Sequence, residues 1–160
     1  MCSSDSKHGK KNLELVSMIN KYRKGLEVEE LECDEHLAET ARVHVKNSDS
    51  CPEPEKPCQL HSWCKSGYLG KKVKTCCYEG DDDADCMYHK VKEITGSEKI
   101  PVAFEISTSF SGKLTKKMAF ENWKKSPHHN AVMSAEGHWS SMKKIGCFHS
   151  SKFAHCWFAP

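Results

Sequence analysis

Apolar residues recur at helical spacing in the first third of the chain. One such run predicts a helix over residues 12–24 that ends at Gly25, a residue favoured just past a helix C-terminus. A second helix is predicted after Asp34, because aspartate is a good N-cap. The apolar faces of the two helices consist of Leu15, Met18, Ile19 and Tyr22, and of Leu37, Ala38, Ala41 and Val45.

The second half of the chain alternates between strand and helix patterns. Residues 100–108 predict a strand, Thr115 caps a third helix, and Ser126-Pro127 begins a short fourth helix, since proline fits the first helical turn. Residues 144–148 and 153–158 predict two closing strands. The pattern therefore indicates a mixed α/β (α+β) protein with a flexible segment over residues 1–11 and a single domain over residues 12–160.

Cysteine content places the chain in an oxidising environment. Its ten cysteines are an even number that fits five disulfides, so we expect a secreted, extracellular protein. Between Cys51 and Cys86 no helical period survives, and disulfides are expected to order the segment. A zinc–thiolate alternative is weaker, because no paired Cys-x-x-Cys motifs occur. Polar residues follow Met1 as far as Lys11, so no signal peptide is visible. We therefore interpret Met1 as an added start codon in front of a mature chain.

Composition and charge exclude several classes of protein. With 160 residues, 38% hydrophobic and 29% charged, the chain is typical of one soluble globular domain. No apolar run is long enough for a transmembrane segment. A formal net charge of +2 gives no indication of nucleic-acid binding. Four scattered lysine pairs leave a weak affinity for sulfated glycans or anionic surfaces open, namely Lys71-Lys72, Lys116-Lys117, Lys124-Lys125 and Lys143-Lys144.

Three residues are candidates for metal-binding chemistry. His129 falls in the first turn of the helix after Pro127, His61 lies between Cys58 and Cys64, and Glu105 is a polar residue inside an apolar strand. Neutral imidazoles are common ligands for zinc. Each residue alone is most simply a surface or core side chain. Their occurrence together predicts a site.

Five segments in order resemble the CAP superfamily, which includes cysteine-rich secretory proteins, insect venom antigen-5 proteins and plant pathogenesis-related proteins. The first of these segments is similar to the start of the family's sequences. It consists of Ile19-Asn20-Lys-Tyr22-Arg23 followed by Leu31-x-x-Asp34-x-x-Leu37-Ala38-x-x-Ala41-x-x-His44. Two further segments are similar to the histidine motifs of the family, and two to its last strands. These segments are Cys58-x-x-His61-Ser62-Trp63, Trp123-x-x-Ser126-Pro127-x-His129-x-x-x-Met133, Ile145-Gly146-Cys147 and Cys156-Trp157-Phe158.

The resemblance implies an extracellular three-layer α-β-α sandwich with a central antiparallel sheet. It also implies a cleft lined by two histidines and two glutamates that holds zinc or another divalent cation. His61 and His129 match the histidines and Glu105 matches the first glutamate, whereas Ser126 stands where many members have the second. Two neighbours, Glu121 and His128, can replace it only if the local helix turns them inward.

The function that the resemblance implies is binding rather than catalysis. Members of the family bind sterols, other lipids, divalent metals and protein targets, in venoms, defence, reproduction and host interaction. The alternative is a metal-dependent or serine hydrolase in the same cleft, with Ser62 or Ser126 beside His129 and Glu105. No nucleophile elbow or oxyanion-hole motif supports that alternative. A third interpretation is a buried polar network that only orients the cleft walls.

The closing strands also predict a disulfide between Cys147 and Cys156. The midpoint between the two cysteines falls between Ser151 and Lys152, so a two-residue turn there places them opposite each other. The turn lacks the Asn-Gly or Asp-Gly of a tight hairpin, which leaves a longer loop open. The family resemblance points to the same pairing. For so short a loop we expect a contribution of ~2–3 kcal/mol to stability.

Overall fold

A computed structural model describes residues 2–6, 9–51, 58–65, 73–80 and 86–160. Its helices are α1 (Gly9–Gly25), α2 (Glu35–Ser50), α3 (Lys90–Thr95), α4 (Lys116–Lys125) and α5 (Pro127–Met133), and a 3₁₀ turn covers Gly137–Ser141. Its strands are β1 (Glu32–Cys33), β2 (Phe104–Ser109), β3 (Lys144–His149) and β4 (Phe153–Ala159). Lys71 and Lys72, one of the four lysine pairs, lie outside the described residues.

The four strands form one sheet in the order β1-β3-β4-β2. Strands β2, β3 and β4 pair antiparallel, while the two-residue β1 pairs parallel with β3. The sheet is thus antiparallel, as predicted, except at this short edge. Helices lie on both of its faces, which gives the mixed α/β sandwich that the sequence indicates.

Alternating side chains of β4 separate two hydrophobic cores. Cys156 and Phe158 pack with α1, α4 and α5, whereas Trp157 and Ala159 pack with α2 and α3. Helix α2 approaches the sheet most closely at Gly146, where an added Cβ would lie 2.1 Å from the backbone nitrogen of Ala38. Glycine is therefore required there, and this close approach brings the polar side chains of α2 directly onto the strands.

Local capping signals explain several element boundaries. The Asp34 side chain accepts hydrogen bonds from the backbone N–H groups of His36 and Leu37, and Thr115 accepts one from Met118. Each satisfies donors that have no partner within the helix. Ser126 precedes α5 at the N-cap position, but its side chain makes no capping bond.

Several element boundaries differ from the sequence prediction, and one helix was not predicted. Helix α1 begins at Gly9, so the predicted boundary at residue 12 falls inside it. Strand β2 begins at Phe104 rather than residue 100, because Ile100 and Ala103 are buried against the core of α2 without strand pairing. Helix α3 was not predicted. Its six residues are too few for a periodic pattern. The side chain of His89, at the N-cap position, makes no capping hydrogen bond.

All ten cysteines are paired. The disulfides join Cys2 to Cys33, Cys51 to Cys64, Cys58 to Cys77, Cys76 to Cys86 and Cys147 to Cys156. In the closing hairpin Cys147 lies directly opposite Cys156, and Ser150 donates to the carbonyl of Phe153. A two-residue turn at Ser151-Lys152 therefore connects the strands. Within the described part of the chain, no helix is long and apolar enough to span a bilayer.

We expect non-reducing peptide mapping to recover the Cys147–Cys156 pair. The hairpin register fixes the two cysteines opposite each other with Cα atoms 4.1 Å apart. Replacing both with alanine should lower the free energy of unfolding by ~2–3 kcal/mol, since the disulfide closes a short loop. A peptide that joins Cys147 to any cysteine between Cys33 and Cys86 would contradict this register.

Candidate functional site

The Glu105 carboxylate lies at the centre of a hydrogen-bonded group in the sheet face beneath α2. Its Oε1 atom is 2.8 Å from His61 Nδ1 and accepts a hydrogen bond of 2.7 Å from Ser107 Oγ. Its Oε2 atom contacts His44 Nδ1 and lies 3.3 Å from His155 Nδ1. We call His44, Glu105, Ser107 and His155 the buried cluster, since all four are buried.

Secondary structure brings the buried cluster together. Glu105 and Ser107 are two residues apart on β2 and so point to the same face, and Ser107 pairs directly with His155 on β4. His44 follows Leu37 and Ala41 along the buried face of α2. Its ring stacks between Trp63, at 3.9 Å between centroids, and His155, at 4.0 Å.

His61 reaches the cluster from the cysteine-rich segment. The disulfides Cys58–Cys77 and Cys51–Cys64 flank it, and Trp63 pairs with Cys76 through two backbone hydrogen bonds. Covalent links rather than a helix or strand thus fix its position. Because His61 Nδ1 is engaged by Glu105, Nε2 is the ring nitrogen left for a ligand.

Electrostatics within the cluster favour an ionised Glu105. Burial by itself raises the pKa of this carboxyl, but the charges of His44 and His155 and their hydrogen bonds lower it by more, so its pKa lies well below the usual range. Burial lowers the pKa of His155 to about 4, and the charge of His44 acts in the same direction against the opposing effect of Glu105. His155 is therefore neutral at physiological pH.

Hydrogen-bond partners assign the protons. His44 Nε2 lies 2.9 Å from the carbonyl oxygen of Ser62, and its Nδ1 contacts the Glu105 carboxylate. Both partners only accept hydrogen bonds, so His44 carries a proton on each nitrogen and pairs with Glu105 as an imidazolium. Ser107 donates to Glu105, and its oxygen therefore accepts the Nδ1–H of His155 at 2.7 Å.

His44, Glu105 and His155 each offer one possible ligand atom, and these three atoms lie within 4.8 Å of one another. By these distances alone, the group could hold a metal ion. The ring geometry opposes this in the present arrangement. The planes of His44 and His155 differ by only 16°, so their in-plane lone pairs run side by side rather than converging. Zinc requires each lone pair to point at the ion from ~2.0–2.1 Å. As arranged, the group is a hydrogen-bonded network.

A cleft of about 250 Å³ opens beside the buried cluster. Its lining includes all three residues predicted as metal ligands, His61, His129 and Glu105. Burial lowers the pKa of His129, and the nearby charges of His61 and His128 lower it further, so His129 is neutral at pH 7. The apolar part of the lining consists of Tyr78, Met87, Tyr88, Phe104, Ile106, Val132 and Trp139.

The predicted cleft neighbours separate into two groups. His128 lines the cleft. Neither Ser126 nor Glu121 is among the described residues that line it. Ser62, the other candidate nucleophile, accepts a 2.7 Å hydrogen bond from the backbone N–H of Tyr78. Neither Ser62 nor Ser126 is among the described residues that line the cleft.

Sequence reasoning missed three histidines of this region. His44 could have been found from its spacing of three after Ala41 on the buried helix face, and His155 from strand alternation with Trp157. His138, which lines the cleft from the 3₁₀ turn, has no such signal, because that turn is short and exposed. None of the three had a recognisable ligand spacing.

Comparison with known proteins identifies the fold. The structure is similar to an outer surface protein of Borrelia burgdorferi, with a TM-score of 0.54, 14% identity and coverage of 92% of this chain and 90% of that one. It is also similar to a cysteine-rich secretory protein of Staphylococcus aureus, with a TM-score of 0.57, 12% identity and coverage of 97% of this chain. The match spans only 40% of the staphylococcal chain. Identities this low show the fold alone.

No curated protein sequence matches the chain significantly. The family profile of the cysteine-rich secretory protein family, CAP, matches residues 16–157, nearly the whole chain. The chain belongs to the CAP family.

Proposed function

We propose that this domain binds a divalent transition-metal ion in its cleft outside the cell, and that the cleft acts by binding rather than by catalysis. His61 would hold the ion through Nε2, His129 would supply a second imidazole, and His138 a third. The observation that carries this proposal is the 2.8 Å contact between Glu105 and His61 Nδ1. A carboxylate on the far nitrogen of a metal-binding histidine fixes the ring and raises its basicity.

In this proposal Glu105 positions a ligand and is not itself a ligand. Its two oxygens already face four polar atoms, from His61, Ser107, His44 and His155. Turning either oxygen toward an ion in the cleft would break at least one of these buried contacts, which is costly. Glu105 therefore acts on the metal through His61.

The donor set suits zinc, copper or nickel better than calcium or magnesium. Imidazole nitrogens favour these transition metals, whereas calcium and magnesium prefer oxygen ligands. The second family glutamate is replaced by Ser126, so no anionic ligand remains to strengthen the site. We accordingly expect zinc affinity to be micromolar or weaker. An ion held there would act as an electrophile or as a bridge to a ligand side chain.

The geometry of the cleft favours binding over hydrolysis. Hydrolysis at a metal needs a general base near the attacking water. The carboxylate of Glu105 is buried and engaged by hydrogen bonds, and Ser62 is engaged by Tyr78. Apart from Glu105, the described lining thus offers an ion the nitrogen atoms of imidazoles.

The size of the cleft limits the organic ligand. Pockets that enclose drug-sized molecules have volumes of roughly 300–1,000 Å³. At about 250 Å³, this cleft fits an ion with a short apolar group against Phe104 and Trp139 better than a whole sterol or lipid. A side chain of a protein target, or the end of a lipid chain, matches these dimensions. The five disulfides support an extracellular location.

Calorimetry should detect zinc binding that depends on His61 and His129. In a His61→Ala, His129→Ala double variant we expect affinity to fall by about 100-fold, because two of the ligands are lost. Binding by the wild-type protein should weaken below about pH 6, where imidazoles protonate.

His36→Ala provides the matched control, since this residue lies at the start of α2 and does not line the cleft. It should bind zinc as the wild type does. Unchanged affinity in the double variant would refute the site. A loss of equal size in His36→Ala would show that binding is unspecific.

A further inference from the structure

A second cavity, of about 210 Å³, lies beside the C-terminal end of α2. Its lining includes Ser48, the Cys51–Cys64 disulfide, Leu60, Phe153 and Lys152. Among the described residues, this cavity shares no lining residue with the cleft of His61 and His129. It is connected to the buried cluster through Ser48, which follows His44 by one helical turn.

Ser48 Oγ lies 3.0 Å from Nε2 of His155. On the other side of the ring, Nδ1 of His155 is 2.7 Å from Ser107 Oγ and 3.3 Å from Glu105 Oε2. The proton on His155 is on Nδ1, because Ser107 gives its own proton to Glu105. Nε2 of a neutral His155 therefore carries a lone pair, and the Ser48 hydroxyl donates to it.

Another serine on the same helix shows that this arrangement is not the ordinary one. Ser50 Oγ donates to the backbone carbonyl of Lys46 at 2.7 Å, which is the usual bond of a serine inside a helix. Ser48 instead bonds to an imidazole whose far nitrogen faces a serine hydroxyl and a carboxylate. A hydroxyl on one nitrogen of an imidazole, with a carboxylate beyond the other nitrogen, is the order of groups that activates a serine nucleophile. Here Ser107 lies between the imidazole and the carboxylate, since it accepts from His155 and donates to Glu105.

We propose that Ser48 is a nucleophile that accepts the acyl group of small esters in the second cavity. Ser48 Oγ forms a bond to the ester carbonyl carbon while its proton passes to His155 Nε2. The carbon–oxygen bond to the alcohol then breaks, and the departing alcohol oxygen takes that proton. Water releases the acyl group by the same steps, with His155 again accepting and returning the proton.

The cavity lining indicates the class of substrate. Leu60, Phe153 and the disulfide offer apolar surface for a short acyl chain, and the volume excludes long chains. Lys152 and Asp49 both line the cavity, so their opposite charges offset each other and favour a substrate without net charge. Small, uncharged esters with short acyl groups fit these features. Glu105 and Ser107 act through His155 and are positioning residues.

Diisopropyl fluorophosphate tests the proposal directly, because its phosphorus reacts with an activated serine and releases fluoride. The full-length protein is treated with the reagent in the presence of EDTA, so that the outcome is independent of metal binding in the cleft. We expect peptide mass spectrometry to place the label on Ser48, at a rate about 100-fold above that of Ser50. Labelling of Ser48 at the rate of Ser50, or no labelling of Ser48, would overturn the proposal.

Three variants separate activation from simple accessibility. Ser48→Ala should abolish the label, and Ser50→Ala should leave its rate unchanged. Ser107→Ala should slow labelling of Ser48 by about tenfold, because the group that holds the proton on His155 Nδ1 is lost. An unchanged rate in Ser107→Ala would show that Ser48 reacts without activation through His155 and would also overturn the proposal. The wild-type measurement decides the matter even if a variant fails to fold.

Discussion

Glu105→Gln should destabilise the protein by about 3–5 kcal/mol, the cost of removing one partner of a buried ion pair. The side chains of Glu105 and His44 are both fully buried. Both ring nitrogens of His44 face groups that accept hydrogen bonds, which assigns a proton to each. Without the carboxylate, His44 either keeps a buried charge with no counter-charge or loses a proton and a hydrogen bond. Urea unfolding at pH 7 with disulfides intact measures the difference.

The same substitution should weaken zinc binding by about 10–100-fold, the range found when a carboxylate behind a metal-binding histidine is removed. Glu121→Gln is the matched control, because Glu121 is a half-buried glutamate outside the cleft lining. Its effect on the free energy of unfolding should stay within about 0.5 kcal/mol. A loss below about 1 kcal/mol in Glu105→Gln would contradict the proton assignment of the cluster.

Elements with local chemical signals could be predicted from the sequence. Asp34 and Thr115 cap helices through bonds to residues two or three positions later, so a few residues contain the whole signal. The closing hairpin is similar, because its register depends only on the midpoint between Cys147 and Cys156. In both cases the interacting groups are close in sequence.

The buried cluster depends on contacts that no local pattern contains. His44 and His155 come from α2 and β4, and their rings stack only because α2 crosses the sheet closely at Gly146. In the sequence, His44 is one polar residue on a helix and His155 one polar residue on a strand. The sequence indicates Glu105 as a candidate site residue. The contacts of its two carboxylate oxygens, however, depend on these partners, which are distant in sequence.

The cleft could be predicted in part. His61 and Glu105 are brought together as the family resemblance implies, and His129 lines the same cleft. His138 was missed because an exposed 3₁₀ turn carries no periodic pattern. The proposed role of Ser48 was also not predictable, since it depends on one hydrogen bond between the end of α2 and a strand more than a hundred residues later.

Acid should destabilise the fold before most carboxylates protonate, and His155 is the main cause. Its pKa is lowered from 6.5 to about 4, so between these values the unfolded chain binds a proton that the folded protein does not. The free energy of unfolding then falls by about 1.4 kcal/mol per pH unit, a loss of about 3 kcal/mol between pH 6.5 and 4. His129 and His149, whose pKa values are also lowered, contribute in the same direction.

Glu105 extends this loss to lower pH. Its folded pKa lies well below the usual range, so below about pH 4.5 the unfolded chain protonates this carboxyl while the folded protein keeps it ionised. The groups that face His155 are His44 from α2, and Glu105 and Ser107 from β2. Ser48 from α2 faces the other ring nitrogen, Nε2. Burial and the charge of His44 keep His155 neutral, and they outweigh Glu105, which favours the charged form.

Urea unfolding in EDTA at pH 7.5, 6.5, 5.5 and 4.5 measures this dependence. His155→Asn keeps an N–H donor near the position of Nδ1 but cannot titrate, so its stability should change less across this range. His89→Ala, which removes an exposed histidine at the start of α3, should retain the full dependence of the wild type. A wild-type free energy of unfolding that varies by less than about 1 kcal/mol from pH 7.5 to 4.5 would mean that His155 accepts a proton inside the fold. In that case the buried cluster would carry a second positive charge at pH 5, and His155 would no longer offer Ser48 a lone pair there.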